Sequence, residues 1–342
     1  MAKREKRMAI PMSKTALVAV GGNSLIRAGE KGTIAEQLAN ARRTAAAIVG
    51  LVRMGYRLVI THGNGPQVGA QLLRSERASD LVYGETLDVC GAASQGEIGY
   101  LLAQSLHNAL VASAMDVPVV SVVTQTVVSP DDPAMRDPSK PIGPFYSRAD
   151  AEEKKRLLGW HIVEDAARGW RRVVPSPKPI DIVEADVIRS LMKRGVLVVS
   201  TGGGGIPVMR VDGRLQGVDA VIDKDRASAL LAVELGVDLF AISTDTEYVY
   251  LNYKQPGQTP LTRVTAAQLE TYCRAGHFPP GNMGPKMESV LHFLRGGGKE
   301  AVITSYEHLC DAVQGLAGTH VVPDAEPAMN TAWQELEEPV SR

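Results

Sequence analysis

Apolar positions along this chain follow two alternating rhythms. Compact runs rich in Val, Leu and Ile occupy residues 17–20, 58–61, 117–123, 196–200, 239–243 and 301–304. Their length and β-branched content read as buried strands. Between or beside them lie stretches with helical spacing of apolar residues, at 33–53, from 67 onward, at 227–234 and at 285–294. Alternation of this kind predicts an α/β fold: a mainly parallel central sheet covered by helices on both faces, a three-layer αβα sandwich.

Three of the apolar runs discharge into glycine. Ala16-Leu17-Val18-Ala19-Val20 leads into Gly21-Gly22-Asn23-Ser24, Arg57-Leu58-Val59-Ile60-Thr61 into His62-Gly63-Asn64-Gly65-Pro66, and Val196-Leu197-Val198-Val199-Ser200 into Thr201-Gly202-Gly203-Gly204-Gly205. Where a strand hands over to a helix through side-chain-free residues, backbone N–H groups can approach an anion, and the helix N-terminus favours negative charge. Parallel strands bring such loops together at one end of a sheet, so three of them predict an anion site.

The rhythm breaks between Ser129 and Pro144, where five prolines (Pro130, Pro133, Pro138, Pro141, Pro144) exclude core sheet. A second cluster, Pro175-Ser176-Pro177-Lys178-Pro179, follows Trp170-Arg171-Arg172-Val173-Val174. Together they bracket an inserted subdomain at about 124–179. A lid over the site and a surface excursion or subunit contact are equal readings of it. The expected organisation is a lobe over 1–215 carrying this insertion, a second lobe over 216–323, and a peripheral acidic tail at 324–342.

Composition narrows the class. The chain has 342 residues, 44% hydrophobic and 22% charged, with a formal net charge of −1. That balance suits a globular protein with a large core and gives no electrostatic case for nucleic acid or an anionic membrane. Cys90, Cys273 and Cys310 lie far apart without metal-ligand spacing, so they read as reduced thiols in a cytoplasmic protein with no zinc site. The basic start, Met1 to Arg7, leads into no apolar run long enough for a signal core or a bilayer span.

Neither common phosphate-binding fingerprint is present. The second loop reads Gly63-x-Gly65-x-x-x-Gly69 with Pro66 intruding, and the four glycines from Gly202 to Gly205 lack a following Lys-Ser/Thr. Cations for an anionic ligand must therefore come from elsewhere in the sequence. Three lysines stand in unusual settings: Lys140 in Lys140-Pro141-Ile142-Gly143-Pro144-Phe145-Tyr146, Lys224 between Asp223 and Asp225, and Lys286 in Met283-Gly284-Pro285-Lys286. Pro285 suits the first position of a helix, which puts Lys286 at a helix start, where a cation is disfavoured unless an anion accompanies it. Asp223 and Asp225 either hold the lysine, face a nucleotide-bound Mg²⁺, or cap a helix beside an exposed ion pair. The run from Ser243 to Tyr250 either supplies a base or ribose pocket or packs at the sheet edge. His62 is expected to hydrogen-bond structurally rather than act as a base.

Taken together, these segments resemble carbamate kinases, members of the amino acid kinase superfamily. The resemblance runs in order over about residues 15–323, through Val18-Ala19-Val20-Gly21-Gly22-Asn23, His62 to Gly69, Lys140 to Tyr146, Arg172 to Pro177, Gly202 to Val208, Gly217 to Asp225 and Met283 to Lys286. Ser24 and Ser243-Thr244-Asp245-Thr246 depart from the usual Ala and Leu-Thr-Asp-Val, and no lysine or glycine loop is lost. The resemblance implies the amino acid kinase fold, a homodimer, and reversible phosphoryl transfer between Mg-ATP and carbamate, with catabolic ATP formation favoured. It implies that Gly21, Gly22, Asn23, Gly63, Asn64, Gly202, Gly203 and Gly204 cradle carbamate and the phosphoryl group. Lys140, Lys224 and Lys286, with Asp225, would form the catalytic set; Thr244, Asp245, Tyr250, Met283 and Gly284 would line the nucleotide side.

Charge logic agrees. Carbamate is already an oxyanion nucleophile, so its transfer needs no general base; the barrier is repulsion between two anions, answered by backbone N–H and ammonium groups. The rival readings are a kinase for another carboxylate, which needs room for a side chain, a nucleotide sensor that binds without turnover, and a nicotinamide oxidoreductase.

Overall fold

The computed structural model describes residues 14–22, 25–27, 29–165, 169–279 and 283–324. Its centre is an eight-stranded sheet. In spatial order the strands are β15 (Arg263–Thr265), β17 (Thr319–Val322), β16 (Glu300–Ser305), β12 (Leu239–Thr244), β1 (Lys14–Val20), β2 (Tyr56–His62), β9 (Leu197–Val199) and β3 (Val119–Ser121). The six from β16 to β3 run parallel; β17 pairs antiparallel with β16, and β15 follows β17.

Side chains alternate across this sheet into two cores. Leu17, Ala19, Val59, Phe240, Ile242 and Ile303 face one layer, formed by α5 (Ala185–Lys193), α6 (Lys224–Leu235), α7 (Ala266–Arg274) and α8 (Met283–Arg295). Ala16, Val18, Leu58, Ile60, Ala241 and Val302 face the other, formed by α1 (Ile34–Arg53), α3 (Leu87–Ala112) and α9 (Leu309–Val313). Burial on both faces explains why these strands appear in the sequence as continuous apolar runs rather than as an alternating pattern. The three-layer α/β prediction holds.

Local chemistry sets the element ends. Thr33 and Glu36 form a reciprocal capping box at the start of α1, satisfying two otherwise orphaned amides. The 117–123 run yields only three strand residues, because Pro118 has no N–H to give the ladder and offers only its carbonyl, to Leu197. Helix α8 begins at Met283, so Pro285 sits within the first turn rather than at its first position, still where no intrahelical donor is required.

Between β3 and α5 the chain leaves the main sheet on an excursion. β4 (Gln125–Val128) and β8 (Pro179–Ile182) join β10 (Ile206–Val211) and β11 (Arg214–Gly217) in a four-stranded sheet at its base. Beyond it, β5 (Lys140–Tyr146), β6 (Ile162–Glu164) and β7 (Trp170–Val174) make a separate antiparallel sheet, with α4 (Arg148–Leu158) packed on it. That sheet rests on α2 (Gly65–Arg77), where Ile142 and Val174 meet Val68, Leu87 and Cys90. A hairpin of β13 (Val249–Leu251) and β14 (Thr259–Leu261) packs beside β17. Among the described residues no helix is long and apolar enough to cross a membrane.

Candidate active site

The parallel strands deliver their C-terminal ends to one side, and the glycine loops meet there. After β2, Gly63 packs against Gly22 after β1: a Cβ on Gly63 would lie 3.0 Å from the Gly22 amide nitrogen. A side chain at Gly63 would therefore require that backbone to give, whereas at Gly22 a Cβ would meet nothing within 4 Å. After β9 the chain enters a left-handed turn, with φ +51° at Thr201, +66° at Gly203 and +94° at Gly204. Asn64 lies against Gly203 and is itself aimed by a 2.8 Å bond from its Nδ2 to the Ser94 Oγ on α3.

Two helices aim lysines at this meeting point. Asp223 caps α6 by accepting from the Asp225 and Arg226 amides at 3.0 and 3.3 Å, which places Lys224 on the first helical residue. The same end of α6 is tied to the sheet through Ser228, whose Oγ lies 2.6 Å from the Thr61 Oγ1 and donates to the Lys224 carbonyl. Lys286 comes from the first turn of α8. The two ammonium groups converge on one carboxylate: Lys224 Nζ lies 2.6 Å from Asp225 Oδ1 and Lys286 Nζ 2.9 Å from Asp225 Oδ2. Burial alone would raise the Asp225 pKa, but the two cations overcome it and hold the carboxyl well below the usual carboxylate range. Lys140 reaches in from β5 and pairs with Asp223 at 3.2 Å.

A cleft of about 290 Å³ results, lined by Gly63, Asn64, Lys140, Gly203, Lys224, Asp225 and Lys286. Gly21 and Gly22 lie behind Gly63. Gly202 and Gly204 are buried, the first beneath His62 and the second against Ile222 and Thr126, so they shape the turn without lining the cleft. Asn23 lies outside the described residues. His62 is 1% exposed; burial, aided by the Lys224 charge, lowers its pKa to about 4, and its Nδ1 faces the Gly63 carbonyl at 3.0 Å. At neutral pH it is an uncharged ring that donates one structural hydrogen bond.

A second, larger cleft of about 620 Å³ opens beyond β12. It is lined by Thr244, Asp245, Tyr250 and Met283, with Tyr248, Tyr253 and Phe278 adding an aromatic wall. Gly284 follows Met283, its amide donating to the Pro279 carbonyl at 3.1 Å. The helix that begins at Met283 thus borders the large cleft and sends Lys286 into the small one.

Two residues and one contact had no sequence signal. Arg171 lines the small cleft from β7, held by the Gly143 carbonyl and Asp165, yet it appears in the sequence only as one of two adjacent arginines. The Lys140–Asp223 pair joins residues far apart along the chain. Gln95 lies buried in α3 and bonds backbone groups of both Thr124 and Gly202.

Comparison with known proteins gives the family of the chain. The amino acid kinase family pattern matches residues 14–305. A carbamate kinase of Thermococcus kodakarensis is 47% identical over 313 residues, covering 90% of this chain and 99% of the relative. One from Pyrococcus furiosus is 45% identical over 315 residues, covering 91% and 100%. The solved structure of carbamate kinase from Giardia lamblia bound to AMP-PNP superposes with a TM-score of 0.88 at 41% identity, covering 92% of this chain and all of that one. The chain belongs to the carbamate kinases of the amino acid kinase family.

Proposed function

We propose that this protein transfers a phosphoryl group between carbamoyl phosphate and ADP, and that the cleft around Asp225 is where transfer occurs. The observation that carries the reading is the convergence of Lys140, Lys224 and Lys286 on a pocket walled by glycine-loop backbone, with no histidine–carboxylate pair lining it among the described residues. In the transfer, a β-phosphate oxygen of ADP attacks the phosphorus while the carbamate oxygen leaves, and the reverse reaction exchanges these roles. Lys224 and Lys286 offset the charge on the transferring group, while the amides near Gly22 and Gly203 hold its oxygens, with Gly63 packed beside them.

The large cleft takes the nucleotide, in keeping with the AMP-PNP bound by the Giardia lamblia relative. Residues 216–323 thus form the nucleotide lobe and 1–215 the carbamoyl phosphate lobe. Mg²⁺ enters with the nucleotide phosphates, because Asp223 and Asp225 are already engaged by lysines. The 124–179 insertion acts as a lid, since its β5 brings Lys140 to the cleft. Carbamoyl phosphate is a mixed anhydride with greater transfer potential than ATP, so ATP formation is the favoured direction. The protein works in the cytoplasm, in keeping with three free thiols, and as a homodimer.

The deciding experiment is coupled ATP formation from ADP, Mg²⁺ and carbamoyl phosphate. Robust carbamoyl-phosphate-dependent ATP supports the reading. Nucleotide binding without turnover, or turnover only with another acyl phosphate, overturns it.

A further inference from the structure

We propose that Gln95, on α3, is a positioning residue for phosphoryl transfer: its buried carboxamide fixes the Gly202–Gly204 turn to the entry of the inserted segment and so sets where the turn's amides point. The inference rests on the assignment of the small cleft to carbamoyl phosphate.

The turn cannot hold its shape alone. Thr201, Gly203, Gly204 and Gly205 all have φ between +51° and +94°. Thr201 is not glycine, so the left-handed region is disfavoured for it and its conformation must be imposed from outside. Within the turn only two short-range backbone bonds form, Gly204 N to Thr201 O and Gly205 N to Gly202 O, each 3.1 Å. The remaining restraint comes from three neighbours. The Thr201 amide donates to Thr124 Oγ1 at 3.0 Å, Gln95 Nε2 donates to the Gly202 carbonyl at 3.0 Å, and Thr126 Oγ1 donates to the Gly204 carbonyl at 2.9 Å.

Gln95 ties these restraints into one joint. Besides Gly202, its Nε2 serves the Thr124 carbonyl at 3.0 Å, and its Oε1 accepts from the Thr124 amide at 2.8 Å. Gln95 is 3% exposed, and Thr124 and Thr126 are fully buried. Water therefore cannot replace these partners. The Gly202 and Thr124 carbonyls each keep a second donor, Gly205 N at 3.1 Å and Ile206 N at 2.9 Å, but the Thr124 amide would be left unmet, and an unmet buried backbone group relaxes by moving. A carboxamide supplies two donors and an acceptor on one rigid plane; a carboxylate has no donor for the two carbonyls, and an aliphatic chain has neither. Thr124 opens the 124–179 insertion that carries Lys140, so the same joint orients the turn beside Asn64 and the root of the segment facing it.

The test separates positioning from mere folding by reading KM, which does not depend on the fraction of folded enzyme. Gln95→Met keeps the side-chain length and removes all three bonds. It is expected to raise the KM for carbamoyl phosphate about tenfold, equivalent to about 1.4 kcal/mol, with the KM for ADP within about twofold of wild type. Thr124→Val strips the acceptor from the Thr201 amide and is expected to shift the same constant in the same direction, whereas Thr124→Ser keeps the hydroxyl and restores it. The proposal is overturned if Gln95→Met leaves the carbamoyl phosphate KM unchanged, raises both KM values together, or lowers kcat alone. Should Gln95→Met fail to fold, equal KM values in Thr124→Val and Thr124→Ser overturn it. Failure of the underlying site assignment is visible separately, as wild-type enzyme without carbamoyl-phosphate-dependent turnover.

Discussion

At the scale of single residues, the site is organised by one carboxylate. Asp225 is 4% exposed and holds the ends of two lysines from different helices within 2.9 Å. A buried carboxylate between two ammonium groups is stable because the charges offset one another's desolvation; removing one lysine leaves an ion pair, whereas removing the carboxylate leaves two unpaired cations. Lys224→Ala and Lys286→Ala are each expected to lower turnover on the order of 10²–10³-fold with the fold retained, as for the loss of one transition-state donor. Asp225→Asn preserves shape but leaves two buried cations facing one another, so it is expected to cost about 3–5 kcal/mol of stability as well as activity. Initial rates and thermal unfolding of the three variants check both statements; wild-type turnover in both lysine variants would remove these residues from the mechanism. The lysines were legible in the sequence because a cation at a helix start demands a nearby anion. Which anion was not legible: Asp225 and Lys286 are 61 residues apart, and only the packing of α6 on α8 brings them together.

At the scale of elements, legibility followed burial. Strands β1, β2, β12 and β16 are buried on both faces and stood out as apolar runs, whereas β11, Arg214–Gly217, is exposed throughout and depends for its existence on pairing with β10. Strand β17 reverses the sheet direction and carries the nearly buried His320, which no periodicity could assign. Its Nδ1 lies 2.9 Å from Glu300 Oε1 and its Nε2 lies 3.1 Å from the Ala317 carbonyl. With both ring nitrogens facing acceptors, the imidazolium is the preferred form. The bond to Glu300 raises the His320 pKa against the opposing effect of burial, and Glu300 is correspondingly lowered. A raised folded-state pKa contributes stability in full below the unfolded histidine value of about 6.5 and loses it as pH rises through the folded value. The unfolding midpoint is therefore expected to fall as pH rises above that of an ordinary histidine. His320→Asn should flatten this slope, and an unchanged slope in the variant would mean that the charge on His320 does not contribute.

At the scale of the whole molecule, one face remains to be covered. Helix α3 packs on α1 and α2, yet Tyr100, Gln104, His107 and Val111 recur at helical spacing on its outer side, with Tyr100 62% and Val111 41% exposed. Beside it runs β3, the edge strand of the main sheet, and Val123 just beyond it is 53% exposed. An open sheet edge next to a helix face that exposes Tyr100 and Val111 is a surface that proteins usually cover, and a two-fold related copy brings a matching face and edge to it. The homodimer is therefore expected to form through α3 and β3. Sedimentation should give twice the chain mass of 36.6 kDa. Tyr100→Glu combined with Val111→Asp places like charges opposite one another across the axis and should shift the population to monomer. Because each cleft is built within a single chain, the monomer should retain nucleotide binding, and any loss of turnover would come from the inner face of α3, where Ser94 and Gln95 hold Asn64 and the Gly202 turn. A double variant that remains dimeric would move the interface to another surface.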